Sequence, residues 1–499
     1  MKSELEIEIE RIMNDENSPG ETLAAIRADV IARKLAVGLR SMTSAERLGA
    51  FSQNEGYLKS FYRSNEPETT QKYNFIDVHR SCKVEKSGER RLGLFLNERA
   101  VPGQLLIVEN AKASCYCMPP ESTPYKAGQL LHAPKAEWMP RCPRIPPKVR
   151  QHLQELLEHC VTNCDHFDHM QIINLDAHRP DDSTVDDGDT VNTLWSIVDN
   201  NAICDKVRSL TQDEPRRVDT VELWGVWLLP SYINHSCTPN CHRMRVGGTI
   251  FIRAATEIEP GDELTLPYFD IFEPLSIRAM NCQTFGFRCD CDRCEFERLL
   301  GDDYDEFQMQ IIELKARMQN LWSPNLGHGA RKLAIPLLTQ LTNMVHPIKE
   351  FIEDVLCLED SPEGVWINAS FIDVHIAAYA LMTNFIYQEL WDRHYDTKSF
   401  EPPDSDHEAG DYEHYMIMSV QEILNIVNEV HPGNVLGQAF YCTLVQTLRR
   451  FVELALTPKK ADGYEEVLQW VEPTGLRFCS SYYGYPGAAI LKLLLATES

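Results

Sequence analysis

Three cysteines within six residues, in Cys289-Asp290-Cys291-Asp292-Arg293-Cys294, constrain this chain more than any other stretch. A C-x-C-x2-C run brings three thiolates within reach of one ion, and tetrahedral zinc asks for a fourth ligand. Cys237 and Cys241 are the nearest upstream candidates. The chain has sixteen cysteines in all. The charged Met1–Arg11 segment lacks the apolar stretch of a secretory leader, so a cytoplasmic or nuclear setting is expected. Grouped thiols there hold metal more readily than they form disulfides.

Charge narrows the partners. Aspartate and glutamate number 74 against 48 lysines and arginines, a formal net charge of −26. A protein that reads a phosphate backbone needs a basic face, so nucleic acid is not the expected partner. An acidic surface favours a basic protein or peptide, and it also keeps a 499-residue chain soluble. No run of about 18 apolar residues occurs, which predicts no membrane span. A monomer is compatible with these features.

Along the chain, residues 1–75 read as helical: Glu4–Met13, a breaker at Asn17-Ser18-Pro19-Gly20, then Glu21–Leu39. Short strands follow over 76–110, with Leu94-Phe95-Leu96, a Pro102-Gly103 turn and Gln104–Val108. An insertion over 111–200 contains an irregular Pro- and Cys-rich part and then Val149, Leu153, Leu156, Leu157 and Cys160 at helical spacing. The aspartate-rich 179–190 reads as a solvated loop. Strand grammar returns over 224–270, within a core segment 201–270, where Arg243–Val246 and Thr249–Arg253 flank Gly247-Gly248, a hairpin signal. Pro260-Gly261 turns the chain into Glu263–Leu266. From 301 to 499 the pattern is all-helical. Met416, Val420, Ile423 and Val427 repeat at helical steps, and 371–387 and 435–456 read as packed helices. The acidic Glu401–Glu413 reads as a loop or linker.

Two further segments carry chemistry. One is Ile233-Asn234-His235-Ser236-Cys237-Thr238-Pro239-Asn240-Cys241, and the other is Gly261-Asp262-Glu263-Leu264-Thr265-Leu266-Pro267-Tyr268. With Phe285-Gly286-Phe287-Arg288 and the cysteine run behind it, they resemble the SET family of protein lysine methyltransferases, in that family's order, over residues 76–300. The chain is most similar to the split-SET type, the SET-and-MYND group and the plant and fungal proteins that join a SET domain to helical repeats. Tyr268-Phe269-Asp270 leading through Pro274-Leu275 to Arg278 fits that group.

The resemblance implies an α+β chain: a β-rich, knot-like SET domain with a post-SET zinc site (271–300), plus an all-helical C-terminal domain. It implies S-adenosylmethionine as methyl donor, structural zinc, and a protein substrate carrying the target lysine. Tyr268 matches the catalytic tyrosine and, with Phe285, walls the substrate channel. Arg91, Gly93, Leu94, Asn201, Asn234, His235, Tyr268 and Phe287 match positions that contact the cofactor. Cys237 matches the cysteine that joins Cys289, Cys291 and Cys294 around zinc, leaving Cys241 and Cys282 unligated. Two positions depart from the pattern. Arg91 stands where the family has the first glycine of Gly-x-Gly, and Phe285 stands where the group often has tyrosine. Both favour an alternative, a catalytically weak SET-fold scaffold that binds partners through its helical domain. Cys115, Cys117, Cys142, Cys160 and Cys164 lie where relatives insert a MYND module, but their spacing does not match it. Trp224 and Trp227 read as core.

Overall fold

The computed structural model describes residues 78–87, 92–117, 150–158 except 152, 194, 197–199, 201–210, 218–246, 249–301, 361–394, 406–455 and 458–483. It also describes single positions at 304, 308, 309, 350, 352 and 358. The helices expected over 1–75, Arg91, the loop at 179–190 and the remaining cysteines of the insertion lie outside these.

The N-terminal half is built from small sheets. Strands β1 (Val78–His79), β4 (Leu105–Asn110), β10 (Thr249–Ala254) and β9 (Cys241–Val246) form one antiparallel sheet in the order β1-β4-β10-β9. The β9/β10 pair is the hairpin expected around Gly247-Gly248, with Thr249 opposite Val246. Strands β2 (Cys82–Glu85) and β3 (Gly93–Leu96) pair antiparallel, and β5 (Ala113–Cys117), β7 (Val218–Val226) and β6 (Ile203–Leu210) form a third sheet. Both Pro-Gly turns place glycine at positive φ, 83° at Gly103 and 99° at Gly261, as position i+2 of a type II turn requires. Of the strand expected over Glu263–Leu266, only β11 (Thr265–Leu266) forms. It runs parallel to β8 (Asn234–His235).

Strand β4 is buried on both faces, which is why it reads as a continuous apolar run. Leu106 and Ile107 pack with Leu94, Leu96, Trp227, Ile250 and Ile252. Val108 and its cross-strand partner Phe251 belong instead to the core shared with the C-terminal helices. Glu109 is buried too, and its carboxylate accepts from the main-chain N–H groups of Leu228 (2.6 Å) and Leu229 (3.0 Å) at the start of a 3-10 turn. Trp224 sits in a separate core with Leu153, Leu157 and Ile197.

Among the described residues beyond Leu266, the helices include α1 (Leu275–Thr284), α2 (Asp292–Leu299), α3 (Pro362–Ala369), α4 (Ile372–His394), α5 (Asp406–Val430), α6 (Val435–Leu454) and α7 (Pro458–Tyr483). Helix α3 starts with Ser361 accepting from Gly364 N and with proline at its first position. Met416, Val420, Ile423 and Val427 are fully buried along α5. That helix begins at Asp406, so the acidic linker expected to run to Glu413 is shorter than its composition suggested. Acidic residues near a helix N-terminus are favoured by the helix dipole, so Asp406 and Glu408 suit the first turn as well as they suit a loop.

The helices and the sheets share one core. Phe269, Ile271 and Phe272 from the sheet side pack with Ile372, Ile376, Met416, Val420 and Phe451. Polar contacts pin the junction. His431 Nε2 donates to Cys241 O (3.1 Å), and Asn434 Nδ2 faces its Nδ1 at 3.4 Å. His242 Nε2 donates to Tyr482 O (3.0 Å), and its ring stacks on that tyrosine at 5.2 Å. Burial holds both imidazoles neutral. It lowers His242 to about 3, helped by His431 and Arg253, and it lowers His431 to about 4.

Both histidines take up protons more readily in the unfolded chain, whose histidines titrate near about 6.5. Their contribution is therefore complete above that pH and is lost as the pH falls toward the folded values. Melting temperature should drop between pH 7 and pH 5, each histidine accounting for about 2 kcal/mol. The slope, measured by differential scanning calorimetry, should flatten in His431→Gln. At Gly433 a Cβ would lie 2.5 Å from His242 Nδ1. Gly433→Ala should thus force the stacked ring aside and lower stability by about 1–3 kcal/mol, read as a shifted denaturant midpoint.

Candidate active site and cysteine centre

The two short strands β8 and β11 place Asn234 opposite Thr265 and His235 opposite Leu266. So short a pairing depends on side chains for support. Asn240 supplies it: its Nδ2 donates to Glu263 O (2.8 Å), and its Oδ1 accepts from Thr265 N (2.8 Å). One amide thus satisfies a donor and an acceptor of the facing backbone, extending the ladder.

Glu263 is the second support. Its carboxylate accepts from Asn234 Nδ2 (2.6 Å) and from Ser87 Oγ (2.6 Å), and Asn234 Nδ2 also donates to Leu92 O (2.9 Å). Gly93 makes room for it, since a Cβ there would lie 2.3 Å from Glu263 Oε1. The φ of Gly93 is not positive, so the requirement is for space and not for left-handed backbone.

Past β11 the chain brings Tyr268 back against His235. Tyr268 N donates to His235 Nδ1 (3.1 Å), and the tyrosine hydroxyl donates to Ile233 O (2.7 Å). With its hydrogen committed, the phenol oxygen turns its remaining lone pairs elsewhere. Phe285 and Phe287 stand 5.4 Å and 6.0 Å from the Tyr268 ring, and 6.3 Å from each other. Phe285 is 40% exposed, whereas Tyr268 and Phe287 are half-buried, so the three rings reach from solvent to the buried His235. The three rings form an aromatic cluster beside the polar His235.

Beside it lie four sulfurs. The Sγ atoms of Cys237, Cys289, Cys291 and Cys294 all fall within 4.8 Å of one another. Four thiolates about 2.3 Å from one zinc stand about 3.8 Å apart, so the group has the right size and donor set for one tetrahedral ion. Cys241 is not part of it; it is buried among Trp227, Ile250 and Leu264 on the other side of the sheet. Hydrogen bonds from Cys237, Cys289 and Cys294 hold the Cys291 thiol below its ordinary range, while burial pushes Cys237 well above it. Arg278 Nη1 donates to Cys294 Sγ (3.0 Å). The same arginine pairs with Glu297, and Glu297 pairs with Arg293 (2.7 Å), all fully buried. Arg293 goes on to Ile271 O (2.7 Å) and Ser370 Oγ (3.2 Å), which ties the cysteine centre to the end of α3.

The structure therefore brings together Gly93, Asn234, His235, Tyr268, Phe285, Phe287 and the four cysteines. Leu94 is near but spends its side chain in the core, leaving only its main chain, whose oxygen accepts from Leu264 N (2.7 Å). Asn201 is buried, and its Nδ2 donates to Ile197 O (3.0 Å) within its own turn. No hydrogen bond among the described residues joins it to Asn234 or Tyr268. Asn240, Glu263, Arg278 and Glu297 were not singled out for roles by sequence reasoning. Asn240 and Glu263 sit inside the two motif segments and carry no signal separating them from ordinary polar positions.

Comparison with known proteins agrees with this geometry. The SET domain family profile matches residues 91–269. The histone-lysine N-methyltransferase SMYD3 of Mus musculus is 38% identical over 105 residues, 18% of this chain and 24% of the relative. A SET and MYND domain-containing protein of Dictyostelium discoideum is 26% identical over 166 residues, 30% of this chain and 41% of the relative. The histone-lysine N-methyltransferase ASHR2 of Arabidopsis thaliana is 34% identical over 121 residues, 22% and 30% of the two chains. The aligned part spans a quarter to two fifths of these relatives' length. The parallel β8/β11 pairing, the tyrosine that follows it and the matched profile agree: residues 91–269 are a SET domain, similar to that of the SET-and-MYND type of protein lysine methyltransferases.

Proposed function

We propose that the protein transfers a methyl group from S-adenosylmethionine to a lysine side chain of a protein substrate. The observation that carries this reading is Tyr268: its N–H rests on His235, its hydroxyl on Ile233 O, and its ring clusters with those of Phe285 and Phe287. The printed names of the relatives, histone-lysine N-methyltransferases, support the reaction class. The donor supplies a methyl carbon bonded to a sulfonium, already activated for displacement. The protein must hold the amine in line with that carbon and present it uncharged.

Free lysine titrates near about 10.4, so the neutral amine is scarce at pH 7. An apolar passage walled by Tyr268, Phe285 and Phe287 disfavours the ammonium by desolvation, which lowers its pKa. The Tyr268 oxygen, with its hydrogen fixed on Ile233 O, offers lone pairs to the polarised methyl hydrogens. As cofactor contacts we assign Arg91, Gly93, Leu94, Asn201, Asn234, His235, Tyr268 and Phe287. Gly93, Leu94 and His235 would make these contacts through their main chains. The four cysteines would hold one structural zinc, closing the post-SET segment that carries Phe285 and Phe287. Cytoplasm or nucleus is the setting we assign.

Two outcomes follow. Tyr268→Phe keeps the ring, so melting temperature and metal content should stay near wild type while methyl transfer to a protein mixture falls by about 100-fold, or about 3 kcal/mol. A variant with near wild-type turnover would reduce Tyr268 to a packing residue. Metal analysis of the purified protein should give one zinc per chain, retained in Cys241→Ala and lost in Cys291→Ala. A Cys291→Ala protein that keeps its zinc through dialysis would overturn the assignment of the four ligands.

A further inference from the structure

Both ring nitrogens of His235 are engaged, and they face in opposite chemical directions. Nδ1 accepts from the main-chain N–H of Tyr268 at 3.1 Å, so Nδ1 carries no hydrogen. The neutral imidazole therefore has its hydrogen on Nε2, and Nε2 lies 3.3 Å from Cys237 Sγ. The ring is 2% exposed and is clamped by Phe269 at 4.3 Å and Phe287 at 5.7 Å. A ring so held cannot rotate to exchange its partners. Its side chain is thus spent, which leaves the donor to be contacted only through its main chain.

We propose that His235 is a positioning residue that ties the four-sulfur centre to Tyr268, a proposal that rests on the methyl-transfer reading. An N–H donated to a ligating sulfur stabilises the thiolate and fixes its direction. The same ring, through Nδ1, fixes the main chain from which Tyr268 reaches the reaction. Displacing Cys237 then moves the imidazole, and the imidazole releases the Tyr268 amide. The chain of contacts continues on the far side of the centre, where Cys237 Sγ lies 3.5 Å from Cys294 Sγ and Arg278 holds that sulfur from α1. The centre serves therefore as the anchor of the catalytic tyrosine as well as of the segment that closes over it.

The two nitrogens can be tested separately. The side-chain oxygen of asparagine stands where Nδ1 does, and the side-chain nitrogen of glutamine stands where Nε2 does. His235→Asn keeps the acceptor for Tyr268 and loses the donor to Cys237; His235→Gln does the reverse. The readouts are zinc release from the full chain under EDTA and hydrogen exchange at the Tyr268 amide, followed by mass spectrometry. In His235→Asn, zinc release should quicken by about tenfold while the amide stays protected, and stripping the zinc with EDTA should quicken exchange at Tyr268 in wild type but no longer in this variant. In His235→Gln, zinc release should match wild type while exchange at Tyr268 quickens by about tenfold and kcat falls with KM for the donor unchanged. If both readouts stay at wild-type values, or only one of them responds across the two variants, there is no bridge. If both move together in both variants with a lowered melting temperature, His235 is a core residue only, and the proposal is equally overturned. Neither readout needs turnover, so an inactive wild type would refute methyl transfer and leave the bridge to be decided by zinc and exchange.

Discussion

The parallel pairing of Asn234–His235 with Thr265–Leu266 is the contact on which the site depends. Two-residue strands are too short to hold themselves together, because loop closure over thirty residues outweighs a few ladder hydrogen bonds. The deficit is made up by side chains that act as backbone. Asn240 pairs with the main chain on both sides of Leu264, and Glu263 reaches across to Asn234 through the gap left at Gly93. Three of the groups assigned to the site hang from this lattice: Asn234 and His235 form β8, and Tyr268 lies two residues past β11.

A second constraint is electrostatic. Arg278, Glu297 and Arg293 are fully buried together, a placement that gives little net stability over an apolar packing of the same volume. Its worth here is geometric. A guanidinium fixed on Glu297 presents one N–H to Cys294 and another to the Glu273 carbonyl. Removing a single member would leave an unpaired charge in the core, at a cost of about 3–5 kcal/mol. The triad therefore resists piecemeal change, and it fixes the angle at which α1, α2 and α3 meet the sulfurs.

Much of this was legible beforehand, and the boundary of legibility has a physical cause. Periodicity located the fully buried stripe of α5, and Gly247-Gly248 located the β9/β10 hairpin, because both signals are local. The Asn234 and Tyr268 segments were legible through resemblance. Asn240 and Glu263 were not, since their roles arise from partners more than twenty residues away. Composition also misled: the acidic run before Glu413 reads as solvated loop, yet from Asp406 onward it is helix. For Asn201, matching a family position did not reveal that its amide nitrogen is committed to Ile197.

The continuous core between β4, β10 and the C-terminal helices has one more consequence. Val108 and Phe251 lie in the same apolar cluster as Ile376, Val427 and Phe451, and the buried His242 and His431 tie the same junction. A chain whose halves share side-chain volume in this way cannot open and close about a joint without exposing its interior. Access to the proposed site must then come from smaller motions, at the exposed Phe285 and the turn behind it, rather than from one half swinging away from the other. Molecular recognition in such an architecture is closer to threading a fixed keyhole than to closing a hand.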